Sequence, residues 1–265
     1  MTRANRPSTG AFIRLFNDIA GHRHRYEVFR DFVTLAAISM HNAVSPNERL
    51  EAEYLALIGR YPKEDAQAFP KLLAELVHLL DVEPYDALGQ LYMTLELGSS
   101  HTGQFFTPPE LSELMARLAY GDVLSKLDKP FVTVQEPACG AGGMILAFAK
   151  EMISAGHNPA ERMWAHCQDV DRTAALMCYL QLSLWNIPAV VVVGNTLMLE
   201  AREVFYTPAH HLGLWDHRLR RRREAIEEAA PSTPVEETTP EVATPPEPKK
   251  TPLAPTAQGQ FDFGF

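Results

Sequence analysis

Cysteine is scarce in this 265-residue chain: Cys139, Cys167 and Cys178 are the full set, and none sits in a CxxC or CxxH pair. That excludes a disulfide framework and a zinc-ribbon ligand set, so the three are read as reduced thiols. Long apolar runs are also missing. No stretch nears the roughly 18 apolar residues that a membrane helix needs, and the opening MTRANRPSTG has no apolar segment of the signal-peptide kind. The expected location is the cytoplasm, with no membrane contact. Positive charge is in deficit, with 24 Lys+Arg against 33 Asp+Glu and a net charge of -9. The chain as a whole therefore repels nucleic acid, and any DNA contact has to use a local patch.

Apolar material is not lacking: 46% of the residues are hydrophobic and 22% charged, enough for a real core and one or two domains. Three regions follow from composition and period. In the first, about 1–100, Phe29, Phe32, Val33, Ala36 and Ala37 recur at helical spacing, as do Leu50, Tyr54, Leu57 and Ile58, and then Leu72, Leu73, Leu76, Leu79 and Leu80. Prolines 46, 62 and 84 punctuate this helical domain. In the second, about 101–229, the period changes. FVTVQEP (131–137), MWAHCQDV (163–170) and AVVVVGN (189–195) read as strands, separated by helical stretches at 144–155 and 172–185. The order β-α-β-α-β predicts an α/β fold with a parallel sheet, right-handed crossovers and a ligand crevice at the carboxyl ends of the strands. In the third, about 230–265, a Pro, Thr and Glu rich tail has almost nothing to bury. It closes on GQFDFGF, a terminal aromatic cluster.

EPACGAGG, from Glu136 to Gly143, leaves the first strand and enters a helix with three glycines in four positions. Glycine there permits a tight turn and close backbone approach to a ligand, beside the free N–H groups of the helix start. The loop alone is not specific. It lacks the GxGxxG spacing of a dinucleotide site, and no Lys-Ser or Lys-Thr follows to make a Walker loop. At the end of the second strand, QDVD offers two carboxylates. Asp171 is read as the N-cap of the following helix, which leaves Asp169 to grip a ribose diol.

GQFFTPPE, EPACGAGG, QDVD and GNTL, in that order after a helical region, resemble the N6-adenine DNA methyltransferases, most closely the modification subunits of type I restriction systems. The likeness covers roughly residues 85–197. It implies a Rossmann-like methyltransferase sheet, S-adenosylmethionine as cofactor, DNA adenine as acceptor, and a specificity subunit or a second copy as partner. FTPPE before the glycine loop belongs to the DNA family rather than to protein or small-molecule methylases. Residue by residue, the resemblance implies Gln104, Phe105, Phe106, Thr107 and Pro108 at the donor's amino acid and methyl end. Pro137, Ala138, Cys139, Gly140, Ala141, Gly142 and Gly143 would wrap the methionine part. Asp169 would hold the ribose and Asn195 would lie near the adenine ring.

The chain departs from the family in three ways. Asn195 stands where aspartate is usual in GDTL. The acceptor tetrapeptide, Asn or Asp followed by Pro-Pro and an aromatic, does not occur anywhere in the sequence. Its nearest substitute is VFYTPAHH, where Thr207, Pro208 and His210 are candidate catalytic residues; the alternative is a loop that caps the sheet. Finally, about 35 residues separate Asn195 from the tail, too few for the seven strands that the family uses, so the sheet is expected to be partial and its edge to be covered by a partner. Arg218, Arg220, Arg221, Arg222 and Arg223 are a candidate DNA patch or, equally, a solvated helix end balanced by Glu224, Glu227 and Glu228. His210, His211 and His217 lack ligand spacing, so no metal site is expected. Gln260, Phe261, Asp262 and Phe263 resemble the peptides that hold the replication sliding clamp. A catalytically silent donor-binding or DNA-machinery-binding regulator is the second reading of the whole.

Overall fold

The β-branched runs 132–136, 163–169 and 189–193 form the sheet of the computed structural model, which describes residues 7–19, 21, 23–97 and 106–229. Six helices come first: α1 (Gly10–Ile19), α2 (Arg25–Asn42), α3 (Glu48–Ile58), α4 (Lys63–Ala66), α5 (Phe69–Leu80) and α6 (Ala87–Thr94). Next come α7 (Pro109–Ser125), β1 (Val132–Glu136), α8 (Gly143–Ser154), α9 (Pro159–Arg162), β2 (Met163–Asp169), α10 (Arg172–Leu184) and β3 (Ala189–Val193). The described part ends with β4 (Glu203–Tyr206), α11 (Pro208–Leu212) and α12 (Trp215–Ala229).

The sheet order is β1-β2-β3-β4. β1, β2 and β3 run parallel, with Val132 opposite Met163 and Ala165 opposite Ala189. β4 is antiparallel to β3, with Tyr206 opposite Val190. This reversal departs from an all-parallel sheet for a simple reason. Residues 194–202 are too few for the dozen or more that a parallel crossover requires, so the chain folds back on the strand it has just left. Among the described residues β1 pairs only with β2, so its other edge is open.

Consecutive parallel strands joined by right-handed crossovers place α8 and α10 on one face. Met163, Ala165 and Cys167 point into that face and are buried, whereas their neighbours Trp164, His166 and Gln168 are half-buried. On the opposite face Thr133, Val134, Gln135, Trp164 and His166 line an open hollow of about 500 Å³. α10 is buried along almost its whole length because its second side packs on α2, α5 and α6.

The N-terminal helices therefore do not stand apart from the sheet. Phe16, Phe29, Leu76, Leu88, Leu176, Tyr179 and Val191 belong to one apolar core, and by internal contacts residues 1–224 form one unit. Residues 225–265 form a second unit, of which 225–229 continue α12 and the rest lie outside the described residues. Polar groups reinforce the join. Arg172 at the start of α10 makes a bidentate pair with Glu53 of α3, at 2.9 and 3.0 Å, and also pairs with Glu203 of β4 at 2.7 Å. Among the described residues no helix is long and apolar enough to cross a membrane.

Candidate functional site

The parallel strands deliver three acidic or glycine-rich segments to one end of the sheet. β1 stops at Glu136 and passes into the loop 137–142, whose backbone turns twice through the left-handed region, at Gly140 (φ +52°) and Gly142 (φ +91°). A Cβ on Gly142 would stand 3.0 Å from the Cys178 sulfur, and one on Gly140 would stand 3.4 Å from the Phe106 ring. Both positions favour glycine on conformation, and Gly142 on space as well.

The end of β2 ties this loop down. The Cys139 N–H donates to the Gln168 carbonyl at 2.9 Å, and the Gly140 N–H donates to Asp169 Oδ2 at 2.8 Å. Asp169 Oδ1 accepts from the Asp171 N–H at 2.9 Å. Each carboxylate oxygen keeps a further lone pair for a ligand hydroxyl. Asp171 caps α10, its side chain accepting from the Ala174 N–H at 2.8 Å. From the end of β3, Thr196 donates its hydroxyl to the Pro137 carbonyl at 2.6 Å. Asn195 Oδ1 accepts from the N–H groups of Leu197 and Met198, at 3.0 and 3.2 Å, so its oxygen is engaged within its own loop.

Over the glycine loop lies a cavity of about 260 Å³, lined by Asp86, Phe106, Thr107, Glu136, Gly140 and Gly143 among others. Phe106 is half-buried and packs edge to face on Tyr92 of α6, with centroids 5.1 Å apart. Thr107 and Pro108 are exposed and lead into α7, where Pro109 takes the first helical position. Gln104 and Phe105 lie outside the described residues.

Sequence reading missed two residues of this cavity, Asp86 and Glu136. Asp86 caps α6 through Oδ1, which accepts from the Gly89 N–H at 2.7 Å and from Gln181 Nε2 at 2.9 Å. The same Gln181 Nε2 donates to the Ala141 carbonyl at 2.8 Å, and Gln181 Oε1 accepts from the Leu88 N–H at 3.0 Å. Burial pushes the Asp86 and Glu136 carboxyls above the usual carboxylate range, and no positive charge acts on either among the described residues. Beneath the loop, Cys139, Cys167 and Cys178 are buried together, and hydrogen bonding to neighbouring thiols raises Cys139 and Cys178.

The structure does not bring Thr207, Pro208 and His210 to this place. Thr207 is fully buried at the far, amino end of the sheet, its hydroxyl donating to the Ile187 carbonyl at 2.8 Å and accepting from the Ala189 N–H at 2.9 Å. Pro208 opens α11. His210 Nδ1 accepts from Trp164 Nε1 at 3.0 Å, and burial lowers this histidine below its ordinary value. The correction has one cause: β4 runs antiparallel, so its carboxyl end meets the beginning of β3, a full strand length from the glycine loop.

The five arginines divide. Arg218 stacks on Trp215 at 3.7 Å and lies 5.2 Å from Phe131, while Arg222 lies 5.0 Å from Phe131. Arg220, Arg221 and Arg223 are exposed. Among the described residues no group of three His, Cys, Asp or Glu is placed to hold a metal ion. Gln260 to Phe263 lie outside the described residues.

A parallel α/β sheet thus brings a glycine loop, an anchored strand-end aspartate and a cavity holding two carboxylates to one place. Residues 85–212 match the family model N-6 DNA Methylase. The methylase subunit of the type I restriction enzyme MpnII of Mycoplasma pneumoniae is 30% identical over 129 residues. That alignment takes in 46% of this chain and 22% of the relative, so the chain spans about a fifth of its length. A solved structure described as a class I S-adenosylmethionine-dependent methyltransferase, from Listeria monocytogenes, is 14% identical with a TM-score of 0.35, covering 69% of this chain and 52% of that one.

S-adenosylmethionine is the cofactor that the family implies. The residues present fit it. Its ammonium and sulfonium charges suit a cavity holding carboxylates without counter-ions, and Asp169 has acceptor capacity left for a diol.

Proposed function

We propose that this chain is the donor-binding part of an N6-adenine DNA methylase, and that the groups that hold the target amine come from a second polypeptide. The observation that carries the reading is the cavity between Phe106 and the glycine loop, with its two uncompensated carboxylates. Once bound, S-adenosylmethionine supplies an electrophilic methyl group. This chain's own residues position it. The loop 137–142 gives close backbone approach, Asp169 accepts from the ribose, Asn195 closes the adenine side, and Phe106 with Thr107 and Pro108 limits water.

Transfer to an exocyclic amine also needs acceptors on its hydrogens as the nitrogen turns tetrahedral. Thr207 and His210 are engaged elsewhere in the fold, which is the support for assigning that task to another chain. A methylase or specificity subunit, or a second copy, has the open edge of β1 available to it. Arg220, Arg221 and Arg223 are the residues of the basic patch left to meet DNA phosphates. Gln260 to Phe263 remain a candidate contact with the sliding clamp.

Titration calorimetry with S-adenosylmethionine tests the first half. Binding is expected for the unmodified chain, with loss of about tenfold or more for Asp169→Ala, which removes a charged acceptor. No heat from the unmodified chain overturns the reading. Labelled donor and unmethylated DNA test the second half: label enters DNA only when methylase and specificity subunits are added, and label transferred by this chain alone overturns it. The engagement of Thr207 and His210 also favours a second reading, a regulator that binds donor and partner without turnover, for which label stays out of DNA in both mixtures.

A further inference from the structure

Asp86 is 4% exposed, and the tasks that its fold gives it do not need its charge. Capping α6 and accepting from Gln181 are both done by Oδ1. An asparagine caps a helix as well as an aspartate and presents the same oxygen to Gln181. A carboxylate buried without a cation costs several kcal/mol, of which an amide costs little. The chain nevertheless keeps the acid, and keeps it on the wall of the cavity. Oδ2 lies 3.5 Å from the point that a Cβ on Gly143 would occupy, facing the start of α8.

We propose that Asp86 is a donor-binding residue whose Oδ2 receives the α-ammonium group of S-adenosylmethionine. The inference rests on the donor-binding reading above and adds the contact that selects the amino acid end. Of the donor's two positive centres only the ammonium carries N–H groups, so only it both neutralises the carboxylate and hydrogen-bonds to it. The free N–H groups at the start of α8, beside Gly143, are left for the donor's α-carboxylate. The Gln181 amide sets the Asp86 rotamer and the Ala141 carbonyl together, so carboxylate and glycine loop are held in one arrangement.

The test is calorimetry on the full chain and on Asp86→Asn with two ligands, S-adenosylmethionine and 5′-methylthioadenosine, which shares the nucleoside and sulfur but has no amino acid part. Thermal unfolding reports integrity. Asp86→Asn is expected to weaken S-adenosylmethionine by about tenfold or more and to leave methylthioadenosine unchanged. Equal affinity of the two proteins for S-adenosylmethionine overturns the proposal, as does an equal loss for both ligands. Should Asp86→Asn not fold, the unmodified chain decides: it is expected to bind S-adenosylmethionine about tenfold or more tighter than methylthioadenosine, and equal affinity for the two is a refutation. An unmodified chain that binds neither ligand removes the donor-binding reading itself.

Discussion

The two ends of the parallel sheet are built from similar residues and do opposite things. At the amino end Thr207, Trp164 and His210 hydrogen-bond to one another or to nearby backbone, and Arg218 covers Trp215 and Phe131. At the carboxyl end Asp86 and Glu136 are pushed toward their protonated forms without a counter-charge, and the loop between the strands encloses open volume. The amino end is filled by its own side chains, whereas carboxyls held at a cost beside a hollow mark a place for a ligand.

That contrast breaks most strongly at the glycine loop. Gly142→Val places a β-branched residue at φ +91° against the Cys178 sulfur; about 3 kcal/mol or more of stability should go, and donor binding with it, as read by chemical unfolding and calorimetry. Next is Gln181→Leu, which strands the Leu88 N–H and the Ala141 carbonyl; a loss of about 2–4 kcal/mol is expected, again with weakened donor binding. Arg172→Ala should cost about 1–3 kcal/mol, less than a fully buried pair because its partners are partly solvated, and should leave the cavity intact. Thr207→Val sharpens the comparison from the other side. It should lower stability by about 1–2 kcal/mol without moving donor affinity, and a fall in affinity would show that the ends are coupled.

A pH dependence separates the two ends as well. Because burial raises Asp86 above its ordinary value of 3.8, the folded chain holds a proton that the unfolded chain has released. Stability from this group is therefore complete below that value and is lost as pH rises through the raised one. Asp86→Asn should unfold at higher temperature than the unmodified chain at pH 7, with the gap closing toward pH 4, about where unfolded aspartate titrates.

What could be read in advance was whatever depends on neighbours in sequence. The strands 132–136, 163–169 and 189–193, the glycine loop and the Asp171 cap follow from β-branching, a cluster of small residues and an acid before a helix. Asp169 also belongs to this group, since a strand end predicts where its side chain emerges. Asp86 was not legible, because its burial depends on Gln181, 95 positions away. Nor was the fate of Thr207 and His210, whose spacing after GNTL suited catalysis; only the short return from β3 into β4 decides which end of the sheet receives them. The single core shared by helices and sheet was likewise invisible, since amphipathic spacing shows that a helix has a buried face but not what covers it.

One amide on α10 has a reach beyond its energy. Because Gln181 touches α6 and the loop after β1 at once, the two ends of the stretch from Asp86 to Gln181 have to match each other. A recombination joint between Leu97 and Phe106 would give a chimaera whose helices and nucleoside loop had never been matched, and the family match itself begins at Tyr85, one residue ahead of the acid.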